Sequence, residues 1–388
     1  MSAVRIAAWA AAAAWIGLAV ARGRFWDARA DGLRPPFCGA RAPEVHAVVP
    51  ARNEADVVAR TLTSLLGQRY PGRFGITLVD DRSDDGTGAV ARATIAAHGA
   101  TVPHATVIDG RPRPDGWTGK VWAMSEGVAA ARAAGAAPAY WWFTDADIEH
   151  DPDTLARLVA TAVDQRRDLV SQMVALHCAA PWERLLIPAF VYFFRMLYPF
   201  AWVNDDARRT AGAAGGSVLL ADASLRRIGG VERIAGELID DCALATAVKR
   251  DGGRLYLGLS TRSRSVRPYP GLDTIWNMVA RTAYTQLGHS PLLLAGTVAG
   301  MALLYVVPPA ATLGGVLVRR FDVALPGALA WGVMTATYVP TARLYGVRRR
   351  DALRLPLAAA LYTAMTVDSA LRHRAGRGGT WKGRSFTA

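Results

Sequence analysis

The sequence predicts an α/β domain built on a mostly parallel sheet, with apolar membrane helices at both ends. Three observations predict it. Strand and helix signals alternate between residues 44 and 290, and long apolar segments lie before and after them. Two acidic clusters, Asp80-Asp81 in LVDDRSDDGT and Asp145-Ala-Asp147 in YWWFTDADIEH, follow short apolar runs, where a buried strand stops and its end meets solvent. A third, Asp240-Asp241, stands in ELIDDCAL.

Taken in order, residues 6–21 (IAAWAAAAAWIGLAVA) are apolar and short for a full span, and Ala19-Val-Ala21 mimics a signal-peptidase site. Arg22, Arg24 and Arg29 follow the segment, which favours an uncleaved anchor over residues 1–24 with its downstream side inside. Val45–Val49 reads as a strand ending at Pro50, and Ala51–Leu66 as a loop and helix. Ile76–Val79 is a second strand, Gly88–Ala97 a helix, Tyr140–Phe143 a buried strand, and Thr154–Val163 a helix after Asp-Pro-Asp. Leu185–Val203 resembles a span, yet it contains Arg195 and two prolines. Crossing there once would put Asp145 and Asp147 on the opposite side from Asp241. The segment is therefore expected in the membrane interface, within an α/β domain of residues 25–290; a buried core helix is the other reading. Segments near 292–318, 323–345 and 355–371 approach the length of spanning helices and make up a membrane region 291–371, followed by a basic tail, 372–388. If all of these and the first segment cross, the tail falls outside. A break at Pro308-Pro309, or an interfacial 355–371, would return it to the cytoplasm, as its arginines require.

The chain has 388 residues, 52% of them hydrophobic, and a net charge of +13 that is almost all arginine, since Lys120, Lys249 and Lys382 are the only lysines. No basic stripe is interleaved with aromatics, which argues against a nucleic-acid partner. The arginines flank the apolar segments instead, a pattern suited to anionic lipid on a cytoplasmic membrane face. Cys38, Cys178 and Cys242 form no CxxC pair, so neither a disulfide framework nor a cysteine zinc site is indicated.

Acidic groups crowded at the carboxyl ends of strands need a cation or a cationic ligand. Asp145 and Asp147, spaced i, i+2, suit a hard divalent ion that also binds phosphate oxygens, although solvated acidic turns share that spacing. Lys120 in WTGK is a second candidate phosphate partner. Asp80 and Asp81 are placed to accept hydrogen bonds from a nucleobase and ribose, with Ser83, Gly86 and Thr87 shaping the turn; an Asp-rich turn alone would look the same. Asp241, beside Asp240, is the candidate general base, although acids also favour a helix start. The histidines 104, 150, 177 and 289 are scattered, and His150 and His289 read as structural more readily than as metal ligands.

The segments VVPARNE, LVDDRSDDGT, GKVWAMSEG, TDADI and LIDDCAL occur in the order and spacing of family 2 glycosyltransferases of the GT-A fold, a Rossmann-like nucleotide-diphospho-sugar transferase fold. WTGKVWA, IPAFVYFF, MLYPFAWVND, AGGS, RPYP and WKGR (381–384) resemble the membrane-bound, hopene-associated subgroup. The resemblance spans nearly the whole chain. It implies that Asp80 and Asp81 bind the nucleoside of a UDP-linked sugar, with Pro50, Asn53, Glu54 and Ser83 at the same strand ends. It implies Mg²⁺ or Mn²⁺ at Asp145 and Asp147, Asp241 as the inverting base with Asp240 beside it, and Gly215, Gly216 and Ser217 on the acceptor side. It also implies a multi-pass protein of the bacterial inner membrane, with the catalytic domain cytoplasmic and a hopanoid or other polyisoprenoid lipid as acceptor.

Two departures qualify it. The Gln-x-x-Arg-Trp motif of sugar polymerases is replaced by IWNMVARTAY, where Arg281 is a candidate diphosphate partner; this favours transfer of a single sugar. Ser125 stands where the family often has Asn. The alternatives are a polyprenyl-phosphate sugar synthase, or a non-catalytic lipid-binding protein that kept the fold.

Overall fold

A computed structural model describes residues 3–39, 41–99 and 104–378. In chain order these hold α1 (Ala3–Ala21), β1 (Val45–Ala51), α2 (Val58–Leu66), β2 (Phe74–Asp80), α3 (Thr87–Ala97), β3 (Ala105–Asp109), α4 (Gly119–Ala133) and β4 (Tyr140–Phe143). There follow β5 (Ile148–His150), α5 (Thr154–Asp164), β6 (Leu169–Ala175), α6 (Pro181–Leu197), α7 (Phe200–Val203), β7 (Val218–Ala221), α8 (Asp222–Arg227), α9 (Asp240–Arg250) and β8 (Leu255–Ser265). The last helices are α10 (Leu272–Ala280), α11 (Pro291–Met301), α12 (Val307–Leu317), α13 (Phe321–Leu344) and α14 (Leu355–Arg374). The WKGR motif at 381–384 lies outside the described residues.

The chain forms two units. An α/β unit takes Arg29–His177 and Trp202–Arg267; a helical unit takes the residues up to Ala28, Cys178–Ala201, and those from Pro268 onward. The linear division expected from the sequence is thus redrawn. The α/β unit ends at Arg267 rather than near 290, and the segment around 185–203 belongs with the helices.

The α/β unit is one eight-stranded sheet of order β3-β2-β1-β4-β7-β6-β8-β5. Its first half, β3-β2-β1-β4, is parallel throughout. The second half is mixed: β7 runs antiparallel to β4 and β6, β5 antiparallel to β8, and only β6 and β8 pair in parallel. The sheet is therefore less parallel than expected, and the reason is connectivity. A parallel partner needs a crossover packed on the sheet, whereas between β6 and β7 the chain runs out through α6 in the helical unit and re-enters reversed. β1 and β2 are buried at every position, as central parallel strands are. Val45, Val49, Ile76 and Leu78 meet Val58, Leu62 and Leu65, which α2 presents at helical spacing, together with Trp142, Leu155 and Leu158. Burying each leucine contributes about 1.5–3 kcal/mol.

In the helical unit, α1 packs on α12 and α13, with Ala8, Ala311 and Val323 between them. Small residues permit the close approach: a Cβ on Gly315 would lie 2.8 Å from the Ala324 amide, and one on Gly327 2.8 Å from the Thr312 amide. Among the described residues, four stretches are long and apolar enough to cross a membrane, by length and composition: Ala3–Ala21, Pro181–Val203, Pro291–Leu317 and Phe321–Leu344. The expected span 355–371 is not among them. Its Asp368 accepts the indole of Trp276 at 2.7 Å and pairs with Arg372 at 2.8 Å. Pro308-Pro309 does not break its segment either. A π-turn over Ala302–Val306 takes up the missing N–H groups just before them and the helix continues. The stretch Pro181–Val203 cannot cross alone, because β6 before it and β7 after it are paired neighbours in one sheet.

Candidate functional site

The crevice of an open α/β sheet lies outside the carboxyl ends of its strands, where the chain order reverses. Here that is the β1/β4 boundary, with β2 and β3 to one side of β1. Pro50 sits there, past the last β1–β4 pair, Val48–Phe143, so its missing N–H costs the ladder nothing on that side.

Lys120 lies in the first turn of α4, an unfavourable place for a cation because the helix dipole is positive there. Its Nζ lies 2.8 Å from Oδ1 of Asp145, just after β4, and 3.1 Å from Oδ2 of Asp240 at the start of α9. Burial opposes charge on Lys120, but Asp145, Asp240 and Asp241 together outweigh it and hold the ammonium well above its usual pKa. Asp241 completes the group: its Oδ2 accepts the Gly215 amide at 2.7 Å and its Oδ1 the Cys242 amide at 2.7 Å. Burial, then the neighbouring Asp240, pushes the Asp241 carboxyl up to about 6, against the opposing pull of Lys120 and the two amides. Gly215 is needed where it stands, since a Cβ there would lie 3.0 Å from the Lys120 Nζ and 3.4 Å from Asp241 Oδ2. Pro50, Lys120, Asp145, Gly215, Asp240 and Asp241 line one small pocket.

The nucleoside-side residues are placed by the ends of β1 and β2. Asp80 Oδ1 accepts the Ser83 amide at 3.0 Å, Ser83 Oγ accepts the Asn53 amide at 3.0 Å, and Asn53 Oδ1 accepts the Asp84 amide at 3.1 Å. Asn53 and Arg82 both have positive φ, 51° and 54°; for arginine this is an uncommon conformation of the kind that gathers at functional sites. Arg52 braces the pair of loops by donating to the Asp81 carbonyl at 2.5 Å. Asp80 and Asp81 are 9% and 1% exposed, so they hold these strand ends as well as mark them.

Several expected residues sit elsewhere. The carboxylate of Asp147 does not join the Lys120 group; it pairs with Arg267 Nε at 3.1 Å and accepts from Ser265 Oγ at 3.3 Å. Two carboxylates at i, i+2 share one face only on an extended chain, and the backbone turns at Ala146-Asp147. Arg267 also pairs with Glu54, so one guanidinium holds two of the expected carboxylates; RPYP was its only signal in the sequence. Ser217 does not line an acceptor surface: it is fully buried and accepts the Trp142 indole at 3.0 Å. A Cβ on Gly216 would lie 2.9 Å from Val174, so that glycine serves packing. Arg281 belongs to the helical unit, just after α10. Ser125 donates to Glu232 at 2.9 Å. His150 is structural: bonded to Thr144 and Ser263, it is held neutral by burial, with its pKa lowered to about 3. His289 stacks on His373 in the helical unit.

Among the described residues, no three His, Cys, Asp or Glu side chains are gathered as a ready metal cage. The charge balance nonetheless suits a divalent ion. Asp145, Asp240 and Asp241 face the single ammonium of Lys120, and a nucleoside diphosphate would bring further oxygen ligands.

Residues 46–220 match the family described as Glycosyl transferase family 2. The chain carries a family 2 glycosyltransferase domain. It is a glycosyltransferase. The match ends before Asp240 and Asp241, so the candidate base lies outside it. Among solved structures, a mannosyltransferase from Pyrobaculum calidifontis, in complex with GDP-Man and Mn²⁺, is 20% identical, with a TM-score of 0.54 over 96% of this chain and 99% of that one. At that identity the likeness concerns the fold. Glucosyl-3-phosphoglycerate synthase of Mycobacterium tuberculosis is 16% identical over 63% of this chain and 80% of its own, with a TM-score of 0.39. No curated protein matches the sequence. In the glycosyltransferase the mixed sheet is Rossmann-like and consistent with the GT-A fold.

Proposed function

We propose that this glycosyltransferase moves a single sugar from a nucleotide-sugar to a membrane-lipid hydroxyl, with inversion at the anomeric carbon. The observation that carries the reading is Asp241, a half-buried carboxylate pushed to about 6 and fixed by two backbone amides beside the Lys120–Asp145 pair. A base near neutrality suits deprotonation of a hydroxyl; a phosphate acceptor would need no such group.

In this mechanism the strand ends of β1 and β2 hold the nucleoside, UDP-linked by the resemblance. Asp145 would hold Mg²⁺ or Mn²⁺, and Asp147, paired with Arg267 here, is the second candidate carboxylate. The bound ion would supply Lewis-acid stabilisation of the leaving diphosphate. Lys120 adds a second positive charge to the same oxygens. Asp241 takes the proton of the acceptor hydroxyl, whose oxygen bonds the anomeric carbon as the bond to the diphosphate breaks. The mannosyltransferase bound to GDP-Man makes guanosine donors a necessary part of any screen.

The lipid acceptor rests on the helical unit. If α1, Pro291–Leu317 and Phe321–Leu344 cross the bilayer while α6 and α14 do not, the catalytic unit and the arginines after α14 share one side, the cytoplasmic one. A hopanoid or related polyisoprenoid is the acceptor that the subgroup resemblance nominates.

The test is lipid mass spectrometry of membranes incubated with the purified enzyme, Mn²⁺ or Mg²⁺, and a panel of UDP- and GDP-sugars. A hexose-sized mass gain on one lipid, lost in Asp145→Ala, is expected. Transfer only to an added polyprenyl phosphate, undiminished in Asp241→Asn, would replace the hydroxyl acceptor with a phosphate.

A further inference from the structure

Where α13 turns into α14, the helical unit forms a surface-open pocket of about 280 Å³. Its walls include Arg184 and Leu185 of α6, Tyr338 of α13, and Arg354 and Leu355 at the start of α14. The volume lies near the lower end of the ~300–1,000 Å³ typical of small-molecule sites, and exceeds what a bare phosphate fills.

Its electrostatics call for an anion. Arg354 is the N-cap of α14, whose first turn holds no acid, so a cation stands where the helix dipole is already positive. Asp351 answers it at 3.5 Å, but Arg184 also faces the cavity, and its nearest bond there is a 3.5 Å contact to the Gly346 carbonyl. Two guanidiniums and a helix N-terminus thus meet one carboxylate. The last turn of α13 adds Arg343, and the stretch before α14 adds Arg348, Arg349 and Arg350, nearby in sequence. The remaining wall is apolar, through Leu185, Tyr338, Val347 and Leu355. Next to these residues in the chain, Trp182, Leu353 and Leu357 are exposed. A phosphate joined to hydrocarbon satisfies both surfaces; a free phosphate would leave the apolar one unused.

We propose that this cavity binds the phosphate headgroup of an anionic membrane lipid, with Arg184 and Arg354 on the phosphate and the hydrocarbon along Leu185 and Leu355. The proposal rests on the helical unit being membrane-embedded. It does not depend on the sugar-transfer reading, because lipid binding is read without donor.

The experiment is native mass spectrometry of the delipidated full chain in neutral detergent, titrated with phosphatidylglycerol or with phosphatidylcholine. Phosphatidylglycerol should bind about tenfold more tightly, the scale of one charge-assisted contact. Arg184→Gln/Arg354→Gln should bring the two lipids to within about twofold, whereas Arg349→Gln/Arg350→Gln should keep the preference. Equal binding of both lipids by the wild type would overturn the proposal. So would an equal loss in the Arg349/Arg350 variant, which would mean diffuse surface charge, or displacement of phosphatidylglycerol by millimolar inorganic phosphate, which would mean a phosphate site. Circular dichroism checks that the double variant is folded; should it fail, Arg354→Gln alone, whose side chain is 69% exposed, carries the same test.

Discussion

Asp241 carries two demands that pull in opposite directions. As the proposed base it must be ionised; as a half-buried neighbour of Asp240 it resists ionisation, its carboxyl pushed up to about 6. The rate should therefore rise with pH through about 6 and level above it. Asp240→Asn removes a negative neighbour, so the acidic limb of kcat/KM should move to lower pH; a limb that stayed in place would assign it to another group. The same shift affects stability. A carboxyl raised in the folded chain binds more protons there than in the unfolded one between about pH 4 and 6, so stability falls as pH rises through that window and is flat beyond it. Ionised Asp241 then costs on the order of 3 kcal/mol at neutral pH. Asp241→Asn should lower turnover by roughly 10²–10⁴ while melting no lower than the wild type at pH 7.5. Asp147 and Arg267 make a second residue-scale case. Arg267→Gln removes the guanidinium from Asp147, so metal-dependent nucleotide binding, read by calorimetry, should require less Mn²⁺ if Arg267 competes for that carboxylate.

Among the elements, α4 contributes at its start and at its middle. Its first turn supplies Lys120. Further along, Gly127 lets the helix lie against the sheet, because a Cβ there would come 2.5 Å from Val48 Cγ1 and 3.1 Å from Val79 Cγ2. Gly127→Ala should cost about 1–3 kcal/mol of stability, read from the melting curve, with turnover per folded molecule little changed. Gly215→Ala should do the reverse. Its methyl intrudes on Lys120 and Asp241 rather than on the core, so turnover should fall at least about tenfold, a loss of near 1.4 kcal/mol, at an unchanged melting temperature. GKVWAMSEG displays both positions in the sequence, since a lysine is rare in this chain and the final glycine stands out in a helical run. The roles of the two glycines were not legible there: one meets a strand and the other a charge cluster, and only the sheet order brings those surfaces to them.

For the whole molecule, the discontinuous α/β unit sets the terms of any truncation. A chain ending at Arg267 retains α6 but loses its partners in the helical unit, including Thr337, which bonds Tyr192 at 2.8 Å, and Tyr362, which bonds the Leu186 carbonyl at 2.9 Å. That chain should sediment on ultracentrifugation unless detergent is present, while also replacing residues 178–201 with a short polar linker should keep it in the supernatant. Locally encoded features were readable from the sequence alone: the strands at Val45 and Tyr140, the acids that terminate strands or open helices, the apolar helices at each end, and the motifs in their order. These follow from periodicity and charge over a few neighbouring residues. Tertiary structure alone decided that β7 runs antiparallel, that Ser217 is sealed under Trp142, that Asp147 faces Arg267 across 120 residues, and that α6 leaves the catalytic unit to join the helices. Each depends on which distant surfaces the sheet order brings together, and no local pattern carries that information.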